Sequence, residues 1–175
     1  MAIRELKYYP DELLHKNSEI VTEFNEELKN TISDMFETMY AEEGIGLAAP
    51  QIGLLKQIVV INVEGIDNKE AELVLINPEI INKEGETGIN EGCLSVPELR
   101  AFVKRAEKIT VKAQNIDGET FTKEADGLLA ICMQHEIDHL HGTLFIDYLS
   151  TMKQNLYRAK VAKILKRKKQ EKENN

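Results

Sequence analysis

Apolar residues between Asn25 and Tyr40 recur at helical intervals: Leu28, Ile32, Met35, Phe36, Met39 and Tyr40. That spacing predicts an amphipathic helix, with Asn25 as its N-cap. Core packing accounts for the whole stripe. The pattern breaks at Gly44, and Gly44–Gly53 (GIGLAAPQIG) reads as a glycine-rich loop. Two β-branched runs follow, Gln57–Val63 and Leu73–Ile81, each flanked by turn residues, and both predict strands. Ile109–Asn115 and Glu119–Lys123 bracket Ile116–Asp117–Gly118, which predicts a hairpin. Between these runs, Gly88–Pro97 (GINEGCLSVP) reads as an irregular extended stretch.

Asp126–His141 is apolar nearly all round, the mark of a buried helix. Asp126 is its expected N-cap and Gly142 its stop. From Ser150 to about Lys169, Leu156, Val161, Ile164 and Leu165 alternate with basic residues, which predicts a surface helix. There is no internal repeat and no linker. The pattern implies one α+β domain: small antiparallel β-sheets wrapped around a central helix, with a C-terminal helix. Residues 1–150 form the body of this domain and residues 151–175 a basic helical tail.

The chain has 175 residues, 42% of them hydrophobic and 30% charged, and can build a core without staples. Its two cysteines are no disulfide framework, and Cys132 alone reads as a small buried hydrophobe. No stretch resembles a signal peptide or a membrane span, so a cytoplasmic protein with no membrane partner is expected. The net charge of −8 is uneven. Residues 151–175 hold nine Lys/Arg against Glu171 and Glu173, a local +7 that leaves −15 on residues 1–150. Such a tail is either a solvated face or a contact for RNA, and no DNA partner is expected.

The chemistry concentrates at His135–His139 (HEIDH). Histidines at i and i+4 share one helical face and reach one ion, while Glu136, displaced around the helix, suits a carboxylate that touches water rather than metal. Two unpartnered histidines on a buried helix would be costly, and a metal gives each a partner. A catalytic site of this kind needs a third protein ligand and an open position. No histidine stands at the downstream spacing known for such helices, and the glutamates beyond His139 lie in the solvated tail. His141 reads as a surface residue at the helix end, and His15 has no motif around it. Cys93 remains, behind Gly92 in a glycine-containing segment, and a thiolate would hold a borderline ion firmly.

Three segments now stand in order: Gly44-Ile-Gly-Leu-Ala-Ala-Pro-Gln51, Glu91-Gly-Cys-Leu-Ser95 and Gln134-His-Glu-Ile-Asp-His139. Together they resemble peptide deformylases, from about Leu6 to Leu149. The resemblance implies hydrolytic removal of formate from the N-formylmethionine of newly made polypeptides. It implies one divalent ion on Cys93, His135 and His139, ferrous iron by family habit, with zinc or nickel able to take the same place. Glu136 is then the proton carrier. Gln51 and the Leu94 N–H are the oxyanion donors. Ile45, Gly46, Ile89, Glu91, Gly92 and Arg100 are implied in substrate binding, with backbone pairing at Ile45, Gly46 and Gly92. Leu128, Ile131 and Cys132 share the ligand face of the helix, an apolar wall suited to a methionine side chain, or else plain core. The tail would dock on the ribosome. Gly44-x-Gly46 also loosely fits a dinucleotide fingerprint, but that needs a preceding strand and a following helix, and here the order is reversed. Two other readings use the same helix: a general zinc peptidase and a non-enzymatic metal-binding ribosome accessory.

Overall fold

The computed structural model describes residues 2–175. Helix α1 spans Glu26–Ala41, and the Asn25 side chain caps it by accepting the Leu28 N–H at 3.0 Å. Its predicted stripe is buried except for the partly exposed Tyr40, with Met35 and Met39 fully enclosed. Strands β1 (Gly46–Ala48), β2 (Ile58–Ile61), β3 (Leu73–Glu84), β6 (Lys108–Gln114) and β7 (Thr120–Asp126) form one antiparallel sheet in the order β1-β2-β3-β6-β7. Strands β4 (Thr87–Cys93) and β5 (Val96–Arg105) form a separate two-stranded sheet.

Local chemistry explains the irregularities. The β3–β6 register slips between Ile76 and Glu79, where Pro78 has no N–H to donate. Asn77 there takes φ +52° and ties its side chain to both backbone groups of Val21. The predicted hairpin is β6–β7: Asn115 Oδ1 accepts the N–H groups of Asp117 and Glu119, and Gly118 turns at φ +82°.

Helix α2 (Gly127–Leu140) packs against β1, β2 and β7 as the buried helix the pattern predicts. Asp126 holds the N-cap position, but its side chain makes no capping bond. Gly142 ends the segment at φ +74°, and His141 is exposed. Helix α3 (Thr151–Glu173) starts at Ser150, whose Oγ accepts the Lys153 N–H at 3.3 Å. It lies on β5 and on the 3₁₀ turn Phe145–Tyr148. Tyr157, Val161 and Leu165 face that contact, and Tyr157 Oη donates to the Arg100 carbonyl at 2.7 Å. Leu156, read from the sequence as part of the apolar set, is instead half exposed, because it lies one position off this i, i+4, i+8 stripe. Among the described residues, no helix is long and apolar enough to cross a membrane.

Two sequence expectations need correction. Gly44–Gly53 is not simply a loop: it contains β1 and a 3₁₀ turn at Ala49–Ile52. Gly88–Pro97 is not irregular: most of it belongs to the β4–β5 pair. β1 is a strand by pairing with β2, and β4 with β5 forms a tight hairpin closed by the Cys93–Val96 pair; in both segments glycine obscures the side-chain pattern.

β1 pairs only with β2, and β4 only with β5. Each therefore leaves one edge unpaired among the described residues. The Ile45 carbonyl accepts the Asn62 N–H at 2.9 Å. Backbone groups alternate in direction along a strand, so the N–H and C=O of Gly46 face the open edge.

Candidate metal centre

Helix α2 supplies His135, Glu136 and His139. Cys93 comes from the end of β4, where the register shifts between Gly92 and Cys93. One ligand atom from each of Cys93, His135 and His139 lies within 4.8 Å of the others. Cys93 Sγ is 3.4 Å from His139 Nε2, and the two imidazole rings stand edge to face with centroids 5.0 Å apart. The other nitrogen of His135, Nδ1, lies 2.8 Å from Glu91 Oε1, which leaves Nε2 for an ion. His139 Nδ1 is buried without a partner. A cysteine sulfur and two imidazoles converging at the floor of the cleft suit a borderline divalent ion.

Glu136 follows His135 around the helix and is buried. Its Oε2 has no hydrogen-bond partner. Burial pushes its carboxyl up to about 7, with Glu91 adding and His135 opposing. Burial lowers the pKa of His139 and nearby His135 lowers it further. For His135 burial acts downwards too, but the bonds to Cys93 and Glu91 outweigh it and hold the imidazole well above its ordinary value. Cys132, one turn up the helix, has its thiol pushed up by burial.

Gly46 is required by this arrangement. A Cβ there would meet Cys132 Sγ and Glu136 Oε1, each at 2.8 Å. Gly44 likewise makes room for the Leu94 side chain, 2.7 Å from a hypothetical Cβ. Gly92 differs, since a Cβ there would find only ordinary contact with Arg100 at 3.5 Å.

Gln51 is buried, unlike the solvated glutamine usual in a loop. Its Oε1 accepts the Ala48 N–H at 2.9 Å, and its Nε2 lies 3.1 Å from Ser95 Oγ and 3.5 Å from Cys93 Sγ. A cleft of about 490 Å³ opens over these groups. Ile45, Gly46, Ile89, Glu91, Gly92, Cys93, Leu94, Arg100, Leu128, Ile131, Cys132, His135 and Glu136 all line it, while Gln51 and His139 sit behind. Ile131 and Cys132 are buried in the wall, and Ile45, Ile89 and Leu128 are partly exposed at its lips.

Residues 3–155 match the family described as polypeptide deformylase. The chain belongs to that family. It is 47% identical to a peptide deformylase from Legionella pneumophila, with a TM-score of 0.91 over 95% of this chain and 98% of that one. The Plasmodium falciparum peptide deformylase is 35% identical, with a TM-score of 0.86 and coverage of 94% and 97%. The Ehrlichia chaffeensis peptide deformylase in complex with actinonin is 38% identical, with a TM-score of 0.86 and coverage of 93% and 98%. The protein is therefore a deformylase, a metal-dependent amide hydrolase that removes the N-formyl group from newly made polypeptides and releases formate. The peptidase and accessory readings fall away.

The deformylase site also holds residues the sequence reading missed. Arg105, at the end of β5, is buried and grips Glu91 through two bonds of 2.8 Å, while its third nitrogen reaches Asp138 at 2.6 Å. Burial disfavours the guanidinium charge, but Glu91 and Asp138 outweigh it and raise its pKa. Burial acts to raise the Glu91 carboxyl, but the bonds from Arg105 and His135 hold it below its ordinary value. Glu91 thus borders the cleft and orients His135 as well. Asp138 stands inside HEIDH and was legible there, but nothing in the spacing points to Arg105. Ser95, against Gln51, lies in the EGCLS segment, where nothing in the sequence marks a serine as a partner for that amide.

Proposed function

We propose that Cys93, His135 and His139 hold the single divalent ion, and that Glu136, Gln51 and the Leu94 N–H carry out deformylation around it. The observation that carries this reading is the buried, unpartnered Glu136 Oε2 beside three convergent ligand atoms. A divalent ion bound there acidifies a coordinated water and so supplies a nucleophile near neutral pH. Everything else falls to the chain. Gly46 and Gly92 pair with the substrate backbone at the open edges of β1 and β4. The methionine side chain lies against Ile45, Ile89, Leu128, Ile131 and Cys132, with Glu91 at the border of that pocket. Arg100, at the rim, contacts the peptide further along.

Glu136 takes a proton from the attacking water as its oxygen bonds to the formyl carbon. The former carbonyl oxygen becomes an oxyanion, received by Gln51 Nε2 and the Leu94 N–H. The carbon–nitrogen bond then breaks, Glu136 returns its proton to the leaving amine, and formate departs. The Gln51 amide is already oriented for this task by Ala48 and Ser95.

Ferrous iron is the native ion in this reading, with zinc or nickel as workable substitutes. Affinity order favours zinc over iron, so metal supply decides. The enzyme works in the cytoplasm, on N-formylmethionyl chains as they leave the ribosome. Residues 1–150 form the catalytic part, and the basic face of α3, in residues 151–175, docks on ribosomal RNA. The test is formate release from formyl-Met-Ala-Ser by protein purified without oxygen, beside Glu136→Ala with its metal content measured. An inactive variant that keeps its metal supports the assignment. An active one overturns it.

A further inference from the structure

Glu91 and Arg105 are not the end of the chain of contacts that reaches His135. Tyr148 closes the 3₁₀ turn Phe145–Tyr148, three residues before Thr151 begins α3, and its ring is half exposed. Its hydroxyl donates to Asp138 Oδ2 at 2.7 Å. Arg105 donates to the same oxygen at 2.6 Å, and the Arg105 guanidinium carbon lies 5.1 Å from the Tyr148 ring centroid. The guanidinium therefore has one edge on Glu91, one nitrogen on Asp138 and a face on Tyr148. Glu91 in turn fixes His135 Nδ1.

We propose that Tyr148 and Asp138 are positioning residues for the metal ligand His135, acting through Arg105 and Glu91. The argument is one of constraint. A guanidinium bound only to Glu91 can pivot about that carboxylate, carrying it and the imidazole along. Asp138 removes the pivot by holding the far nitrogen. Yet the Asp138 side chain is a quarter exposed, so water competes for its oxygen. Tyr148 fills that position with a donor that does not exchange, and its ring covers the cation. Groups that orient ligating histidines typically contribute 10- to 100-fold in metal affinity or activity. Tyr148 acts two contacts further out, so its share is smaller.

This inference rests on the reading of Cys93, His135 and His139 as ligands. The test uses the full chain loaded with cobalt, as parent, Tyr148→Phe and Asp138→Asn. Three quantities are read: the thiolate-to-cobalt and ligand-field bands in the visible spectrum, the rate of cobalt loss to excess chelator, and kcat apart from KM on formyl-Met-Ala-Ser. Tyr148→Phe keeps the ring and loses only the hydroxyl. It should shift the bands, speed cobalt loss by roughly 3- to 10-fold and lower kcat in parallel, with KM unchanged. Asp138→Asn should do the same more strongly, on the order of 10-fold or more. Spectra and loss rates equal to the parent's in both variants would overturn the proposal, whatever their melting temperatures. A change in Asp138→Asn alone would remove Tyr148 from it. A parent without a thiolate–cobalt band would sink the ligand assignment itself, and this proposal with it.

Discussion

Glu91 Oε1 lies 2.8 Å from His135 Nδ1, and the same carboxylate is clasped by two nitrogens of Arg105. One buried carboxylate thus serves two donors from different elements, α2 and β5. Glu91→Gln keeps the shape but removes the charge that faces Arg105. Metal affinity and activity should fall together by about 10- to 100-fold. Glu91→Ala should also destabilise the fold by roughly 3–5 kcal/mol, because Arg105 loses its main partner in a buried site. Chelator competition and denaturant melts separate the two effects, and a Glu91→Gln variant with parental metal affinity would refute the linkage.

Gln51 gives a cleaner kinetic prediction. Its amide is already oriented by Ala48 and Ser95, so Gln51→Ala would remove the proposed oxyanion donor without removing any of Cys93, His135 and His139. kcat should drop by about 10²- to 10³-fold with metal content intact. Steady-state kinetics beside metal analysis decides, and a fall in KM alone would contradict the role.

At Gly46 a single methyl group is enough. Gly46→Ala places it 2.8 Å from both Cys132 Sγ and Glu136 Oε1. The helix or the strand must shift, at a cost of about 1–3 kcal/mol. Activity should collapse because Glu136 moves, and metal analysis reads whether Cys93, His135 and His139 still hold the ion. A stable, fully active Gly46→Ala protein would show that the cleft is looser than its geometry implies.

Acid should weaken the N-terminal clasp. Burial acts to raise the Asp34 carboxyl, but bonds from Arg4 and from the Ala2 N–H hold it below its ordinary value. A carboxyl depressed in the folded state stabilises above its unfolded pKa, about 4, and that stability is lost as pH falls through the folded value. The exposed ion pair contributes little, since Arg4 is half exposed. Asp34→Asn should therefore be less stable than the parent at pH 7, with the gap closing below about pH 4. Urea melts across pH measure it, and a constant gap would count against the assignment.

The tail makes a separate prediction. If α3 meets RNA through its basic residues, ribosome binding by the full chain weakens steeply as salt rises. Charge reversal at Lys163 and Lys166, both exposed, should reduce binding and its salt dependence while leaving formate release from short peptides unchanged. Binding that is indifferent to salt would end the idea.

Most of the regular structure was legible because the apolar spacing was clean, as at Met35 and Met39 in α1 and along α2. The strands that frame the cleft were not. Gly46–Ala48 is a strand through its pairing with β2 and Thr87–Cys93 through its hairpin with β5, and their glycines carry no pattern. In the site, HEIDH could be read because histidines four apart share one helical face, whereas Cys93, 46 residues from His139, has no such spacing and stood out as a ligand candidate through the resemblance. Arg105 could not, since its partners Glu91 and Asp138 lie 14 and 33 residues away and meet it only in the folded chain.

The two open strand edges, β1 and β4, bear on how general the enzyme can be. An edge offers main-chain groups, and main-chain groups are the same in every polypeptide. Beyond the pocket for the first side chain, a nascent chain held in this way is gripped by what it shares with all others. If nascent chains pair with these edges as proposed, a single enzyme of this build would serve a whole proteome, with the first residue acting as the password and the rest of the sequence left free to evolve.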